Sequence, residues 1–595
     1  LNSDRFVVHT YRRIIIHNNI TPQEAAMRKL QLLVVLLVVF SLLPVSTFGQ
    51  NPYRVPPYSV NSMFLNNFIV GDTLVTGARR DSNTVYVLQR GGVYLTQVAI
   101  TNGYPIRMQS HDTTGNVSKP IIYLYPGGAL NNPPGTFITM RANVSLKNLI
   151  ISGYFEPGNY TLKDTSYLNH LQGSLFNTGV AGLTLSLDSC ILTQTNGNHV
   201  RTDQPLRTLR ITNCRFTDMG FLGRSNLGAG KGIDIRAGSI DSFIVVNNSF
   251  VNWQDRIIRH FSSTANMQYL RFEHNTCVNG MSYHGFLSLG RTGKSVIIKD
   301  NLLYDAFALG ADTDAVRQAE FSDSGEKDAF GLARMNWIFS APNDTTAWTI
   351  KKNYYVISPA GKAFFDSASV WPIVANPPLS EGSILTYKIN SRIGADSTTA
   401  FTKTTTTFPN TPKLMVDMMK WYRRPKASLG SGKTKETTNW LPIYDYDRRS
   451  AEYYRDTLDL AYPTADAVYT SATGNYPVGD LNWFPARYTA WKNDPSTDVQ
   501  EQGETVPEEF ALAQNFPNPF NPATQISFTI ARASKVSLEV YNLLGQRVAM
   551  LIDGQLRAAG KHEAQFQAIG LASGVYFYRL TAGEKVATMK MMLVR

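Results

Sequence analysis

An eight-residue pattern recurs between residues 144 and 303, and it limits the possible folds more than any other feature of the chain. Its copies are Val144-Ser-Leu-Lys-Asn-Leu-Ile-Ile151, Leu185-Ser-Leu-Asp-Ser-Cys-Ile-Leu192, Leu209-Arg-Ile-Thr-Asn-Cys-Arg-Phe216, Phe243-Ile-Val-Val-Asn-Asn-Ser-Phe250, Leu270-Arg-Phe-Glu-His-Asn-Thr-Cys277 and Val296-Ile-Ile-Lys-Asp-Asn-Leu-Leu303. Apolar residues at positions one and three have period two, the mark of a strand with one buried face. The phase resets between positions four and six, which implies a bend and then a second short strand. Copies start 41, 24, 34, 27 and 26 residues apart. A period in the mid-twenties without helical patterning predicts a solenoid of stacked coils.

Position six reads Leu149, Cys190, Cys214, Asn248, Asn275 and Asn301. In a stack this column points inward at a bend, where buried Asn side chains can bond each other and the turn backbone. On these residues the chain resembles the right-handed parallel β-helix of the pectate-lyase-like superfamily. The fold class expected is therefore all-β: a right-handed single-stranded parallel β-helix, followed by a C-terminal Ig-like β-sandwich. Starts near residues 93, 120 and 144 would place the first coils. Trp348–Tyr355, with Asn353 in the Asn column, would be the last one. A second strand follows each repeat, at 174–178, 199–203, 232–236, 257–261 and 286–290, and should form a parallel sheet of its own.

Of the 595 residues only 17% are charged, and the net charge of +12 is dispersed. No Lys/Arg run with interleaved aromatics occurs, so nucleic acid is not an expected partner. The three cysteines, Cys190, Cys214 and Cys277, all fall on inward repeat positions. An odd count at coil spacing is no disulfide framework; Cys190 and Cys214, in one column a coil apart, could bridge, but the expectation is buried free thiols. No Cys/His pairing has zinc spacing, no cofactor is evident, and Ca²⁺ remains admissible.

Residues 1–26 read as an upstream extension. Residues 27–50 have the basic, apolar and polar zones of a signal peptide, with Met27-Arg-Lys, then Leu30–Leu43, then Pro44–Gln50. The apolar run is short for a membrane span, so no transmembrane helix is expected in the mature chain. The β-helix is assigned to 51–375 and a C-terminal wrap or cap to 376–493. That wrap closes with Gly479-Asp-Leu-Asn-Trp483, an ending similar to that of secreted β-helix proteins of the Bacteroidetes. A polar linker, 494–508, precedes the last domain, 509–595.

That domain opens with Asn515-Phe-Pro-Asn-Pro-Phe-Asn-Pro522 and continues through Val536–Val548 and Ser573–Leu580 in alternating strands split by Gly/Asn turns. It resembles the C-terminal sorting domain (type A) of type IX secretion cargo. The resemblance implies a protein exported through its signal peptide and then the type IX system. It also implies that residues 509–595 meet the secretion machinery and that the product is secreted or held at the cell surface. The protein is expected to be a monomer.

Outward side chains of successive coils make a groove along such a stack, suited to a long polymer. Alternation turns Arg201, Asp203, Asp234 and Arg236 outward, while Arg259 and His260 cannot both face out. Lys231 and His284 sit at the rim, and Tyr154, Trp253 and Tyr283 are the aromatics considered for stacking. The leading expectation is a binder of, or lyase on, an extracellular acidic polysaccharide. Lys231, Arg236, Arg259 and Asp234 are the catalytic candidates, and Arg201, Asp203, His284 and Tyr283 the substrate-binding ones. A lyase needs a base and cations for the uronate carboxylate. The Asn/Glu/Glu calcium cluster of chondroitinase-B-like lyases has no match. An inverting glycoside hydrolase needs two carboxylates about 6.5–9.5 Å apart, and Asp203 with Asp234 is the available pair. Gly232-Ile-Asp-Ile235 resembles part of a polygalacturonase strand, but the Asn-Thr-Asp and Gly-His-Gly of that family are missing. The remaining alternative is a non-enzymatic adhesin or carbohydrate-binding protein. Arg/Asp alternation on a sheet is also met as plain solvated ion pairs.

Overall fold

The computed structural model describes most of residues 51–72, 84–155, 172–220, 230–310, 331–368, 383–410, 458–494 and 510–594, with short gaps inside these spans and isolated positions between them. The expected extension, signal peptide and linker fall largely or wholly outside the described residues. No described helix is long and apolar enough to cross a membrane.

Parallel pairings run without interruption from Asn51–Val55, which pairs with Thr84–Leu88, to Phe401–Lys403, which pairs with Asn353–Val356. They resolve into three faces of a parallel β-helix. One carries the first half of the repeat: Val144–Lys147, Leu183–Asp188, Leu206–Thr212, Ile240–Val246 and Asn266–Glu273. The next carries its second half: Ile150–Ser152, the start of Ile191–Thr202, Arg215–Met219, Ser249–Trp253, Thr276–Gly280 and Leu302–Tyr304. The third carries the downstream strands: Gln172–Thr178, the end of Ile191–Thr202, Lys231–Ile235, Arg256–His260 and the start of Leu287–Lys299.

The first coils are phased differently from the expectation. Thr84–Leu88 and Ile106–Ser110 stack in line with Val144–Lys147, whereas Val93–Thr96 and Ile121–Leu124 belong to the second face. The strands at 93 and 121 are apolar on alternate residues too, so periodicity alone cannot tell a first-face strand from a second-face one. The expected boundary at 375 falls inside the run of parallel pairings, because Ser383–Leu385 still pairs with Asn336–Ala341.

Two bends shape each coil, and both use left-handed backbone. At the first, Asn148, Ser189, Asn213, Asn247, His274, Asp300 and Lys352 have φ between 48° and 62°. At the second, the column is Gln194, Asp218, Asn252, Asn279 and Asp305. Side chains that bond locally lower the cost of that conformation, which favours Asn and Asp there. Just past the first bend the Asn column forms the expected ladder. Asn248 Nδ2 donates to Asn275 Oδ1 at 3.0 Å, Asn275 Nδ2 to Asn301 Oδ1 at 3.0 Å, and Asn301 Nδ2 to Asn353 Oδ1 at 2.8 Å. Each also bonds a turn carbonyl, as Asn275 does with Val245 O at 2.9 Å. The ladder continues into sulfur: Cys214 N donates to Asn248 Oδ1 and Cys190 N to Cys214 Sγ. All three cysteines are free, buried thiols.

Leu, Ile, Val and Phe side chains fill the interior as one continuous cluster. Each fully buried one contributes about 1.5–3 kcal/mol. A second apolar cluster joins Leu458, Leu460, Val468, Val478, Leu481 and Trp491 to Val251, Val278 and Leu302 of the second face. Residues 458–494 thus lie along the flank of the coils. Gly479 shows how close the contact is: its φ is +88°, and a Cβ there would stand 2.3 Å from Thr276 Oγ1.

The C-terminal unit pairs its strands antiparallel in two sheets. One contains Ala523–Ile530 with Gly560–Gln567, and the other Ser534–Tyr541, Arg547–Arg557, Gly574–Ala582 and Lys585–Leu593. Ile526, Phe528, Val536, Leu538, Tyr578 and Leu580 form its core. Asn515 anchors the start: its backbone N–H donates to Tyr578 Oη and its Nδ2 to Thr524 Oγ1, both at 2.9 Å.

Candidate functional site

The third face carries a cleft of about 460 Å³, lined by Thr136, Ser174, Asn177, Asn198, Arg201, Asp203, Lys231, Asp234, Arg236 and Arg259, with Gly135, Gly173 and Gly197. Parallel register creates it. Ser174, Asn198, Lys231 and Arg256 share one register column, and Arg201, Asp234, Arg259 and Ser288 another. Gly197 keeps the wall thin, since a Cβ there would meet Gly173 O at 2.3 Å. All four catalytic candidates and two of the four substrate-binding candidates therefore share one cleft.

Charges here are arranged in pairs. Asp234 lies 3.6 Å from Arg259 and accepts from Asn198 Nδ2 at 3.5 Å. Arg201 Nε donates to Asp203 at 3.1 Å, half exposed at the rim. Below them lies Asp255, with no exposed surface. Its Oδ2 is 3.0 Å from Lys231 Nζ and 3.2 Å from Arg256 Nε, and its Oδ1 is 2.5 Å from His284 Nδ1. Burial by itself would raise the Asp255 carboxyl. Arg256, His284 and Lys231 outweigh it and hold the group well below the usual carboxylate range. Burial pushes the Lys231 ammonium below its ordinary range, with Asp255 and Asp234 offsetting part of the shift. A buried lysine lowered in this way, in a cleft, has the environment that tunes an amine toward base chemistry.

The other two candidates lie deeper. His284 is 6% exposed and bound to Asp255, and Tyr283 is fully buried with its ring edge-on to His284 at 4.5 Å. Trp253 is also fully buried, and Tyr154 nearly so, so neither presents a stacking face. Arg259 takes the outward place on its strand; His260 turns in and bonds Leu289 O and Gly238 O.

Phe261 went unread in the sequence. It is 59% exposed, with the Arg259 guanidinium 4.2 Å and the Arg236 guanidinium 5.5 Å from its ring centre. Once Arg259 is placed outward, alternation puts Phe261 outward as well. Asp255 left no comparable signal, because two of its three partners, Lys231 and His284, come from neighbouring coils.

Residues 514–594 match the family model of the secretion system C-terminal sorting domain. The protein is exported by type IX secretion to the cell surface or the extracellular space, with this domain addressing the secretion machinery. No curated protein and no solved structure matches the chain.

Proposed function

We propose that the cleft engages an extracellular acidic polysaccharide and cleaves it by β-elimination. The observation carrying this reading is the convergence of Lys231, Arg236, Arg259 and Asp234, from two adjacent strands, on one cleft beside the exposed Phe261. A uronate carboxylate would lie between Arg236 and Arg259, which neutralise it and acidify the neighbouring C–H. Lys231, in its amine form, takes that proton. The electron pair becomes the C4=C5 double bond, the C4–O bond breaks, and the leaving oxygen takes a proton from water. Asp255 then receives the Lys231 ammonium as its ion-pair partner. Ca²⁺ would serve the same neutralising role as the arginines.

A second reading, binding without turnover, draws support from the 3.0 Å Lys231–Asp255 pair, which favours the protonated lysine. One experiment separates them. The purified chain is incubated with a panel of uronate polymers, with and without Ca²⁺, and ultraviolet absorbance of unsaturated products is followed. Product that disappears in Lys231→Ala supports the lyase. Retained binding without product, lost in the Arg236→Ala/Arg259→Ala double variant, supports the lectin. New reducing ends without unsaturation would turn attention to Asp203 and Asp234 as a hydrolase pair. Absence of both binding and product leaves the non-enzymatic surface protein.

A further inference from the structure

Glu273 and His274 end one first-face strand, and Asp300 lies at the bend of the next coil, beside His274. One ligand atom from each lies within 4.8 Å of the others, and all three side chains are buried. His274 Nε2 and Asp300 Oδ2 accept no hydrogen bond from the protein, and Glu273 Oε1 faces the Lys299 ammonium. The wrap fixes their orientation. His274 Nδ1 is 3.1 Å from Gly479 O, and a carbonyl can only accept, so Nδ1 carries the proton. The lone pair of the neutral ring is then on Nε2, facing Asp300 Oδ2 at 3.9 Å. Asp300 Oδ1 is taken by Thr473, whose N–H and Oγ1 donate to it at 2.8 and 3.1 Å. Two acceptors facing one another in a dry interior repel unless a cation lies between them.

We propose that Glu273, His274 and Asp300 bind a divalent transition-metal ion of the Zn²⁺ class, which rivets two neighbouring coils to the wrap. One imidazole nitrogen with two carboxylates suits such an ion, whereas Ca²⁺ takes oxygen ligands in larger number. Ligands at about 2.0–2.2 Å from zinc stand up to about 3.5 Å apart, so the side chains must draw in by about an ångström. The His274–Gly479 and Asp300–Thr473 bonds supply the outer partners that orient metal ligands in known sites. The Trp491 ring packs edge-on against His274, centroids 5.1 Å apart, and excludes water. Lys299 Nζ, 3.2 Å from Glu273 Oε1, is the built-in competitor, and Arg271 holds the other Glu273 oxygen.

The test strips the full chain with a chelator and titrates it with Zn²⁺ and, separately, Co²⁺. One ion should bind per chain, and Co²⁺ should give visible d–d absorption. His274→Asn, which keeps a residue tolerant of left-handed backbone, and Asp300→Asn should each weaken binding at least tenfold and abolish the Co²⁺ spectrum. His260→Asn, a buried histidine elsewhere on the stack, should leave both intact. Should the ligand variants misfold, Lys299→Met provides the second measurement: removing the competing cation should tighten Zn²⁺ binding several-fold. A stripped chain that takes up no ion, an affinity unchanged in folded His274→Asn, or no tightening in Lys299→Met would each overturn the site.

Discussion

Asp480 and Ser249, 231 positions apart in the chain, are joined by a 2.6 Å hydrogen bond from Ser249 Oγ to Asp480 Oδ2, with both residues out of contact with solvent. Burial raises the Asp480 carboxyl to about 6, against the lowering effects of its hydrogen bonds and of Arg215. A carboxyl with a higher value folded than unfolded binds its proton more tightly in the native state. Its stabilising contribution is therefore complete below about pH 4 and is lost as the pH rises through about 6. Asp480→Asn should remove that dependence. Urea unfolding at pH 4.5 and 7.5 should show the variant gaining on wild type by on the order of 2 kcal/mol at the higher pH. An equal difference at both values would contradict the assignment.

Asp255 has the opposite sign. Its value is depressed, so its contribution is present above the unfolded carboxylate range, about pH 4, and is lost as the pH falls below it. Asp255→Asn removes the anion shared by Lys231, Arg256 and His284 and should cost about 3–5 kcal/mol. The loss should be largest near neutrality and shrink in acid, which denaturant midpoints across pH 3–7 would measure.

The Asn ladder predicts a graded series at one position. Asn275→Ala deletes the acceptor of the Asn248 backbone N–H and the donor to Val245 O, at about 1–3 kcal/mol for each buried group left unpaired. Asn275→Cys should cost less, because Cys190 and Cys214 already fill this column. Equilibrium unfolding of the two variants should rank them in that order.

In the sorting domain, Asn515→Ala should loosen the clasp to Tyr578 and Thr524 and lower the melting temperature of this unit alone. Deleting 509–595 should leave the protein inside the cell. Fractionation and immunoblotting check this, and undiminished export would remove the sorting role.

What could be read from the sequence followed from what repeats. Period-two apolarity and the Asn column mark the coils from residue 144 onward because each copy solves the same packing problem. Near the N-terminus the same signal was ambiguous, since Val93–Thr96 alternates as well as Thr84–Leu88 does, and only pairing distinguishes the faces. The cleft was legible as outward residues on neighbouring strands. Asp255 and the Glu273–His274–Asp300 cluster were not, because Lys231 and His284 in the one and Asp300 in the other come from a neighbouring coil, a spacing that motif rules do not search. Tyr283 read as an available aromatic, yet its segment turns into the core.

The contacts of residues 458–494 with the coils have a kinetic consequence. Gly479, Asp480, Leu481 and Asn482 bond residues 204–235 positions earlier, and Tyr488 reaches Asn213, 275 positions away. Loop closure over such separations is slow, and it has no target until the coils from 213 to 302 have stacked. The wrap therefore closes last. The time during which the flank of the solenoid stays uncovered, with Val251, Val278 and Leu302 exposed, is set by how quickly the remote C-terminal segment finds it.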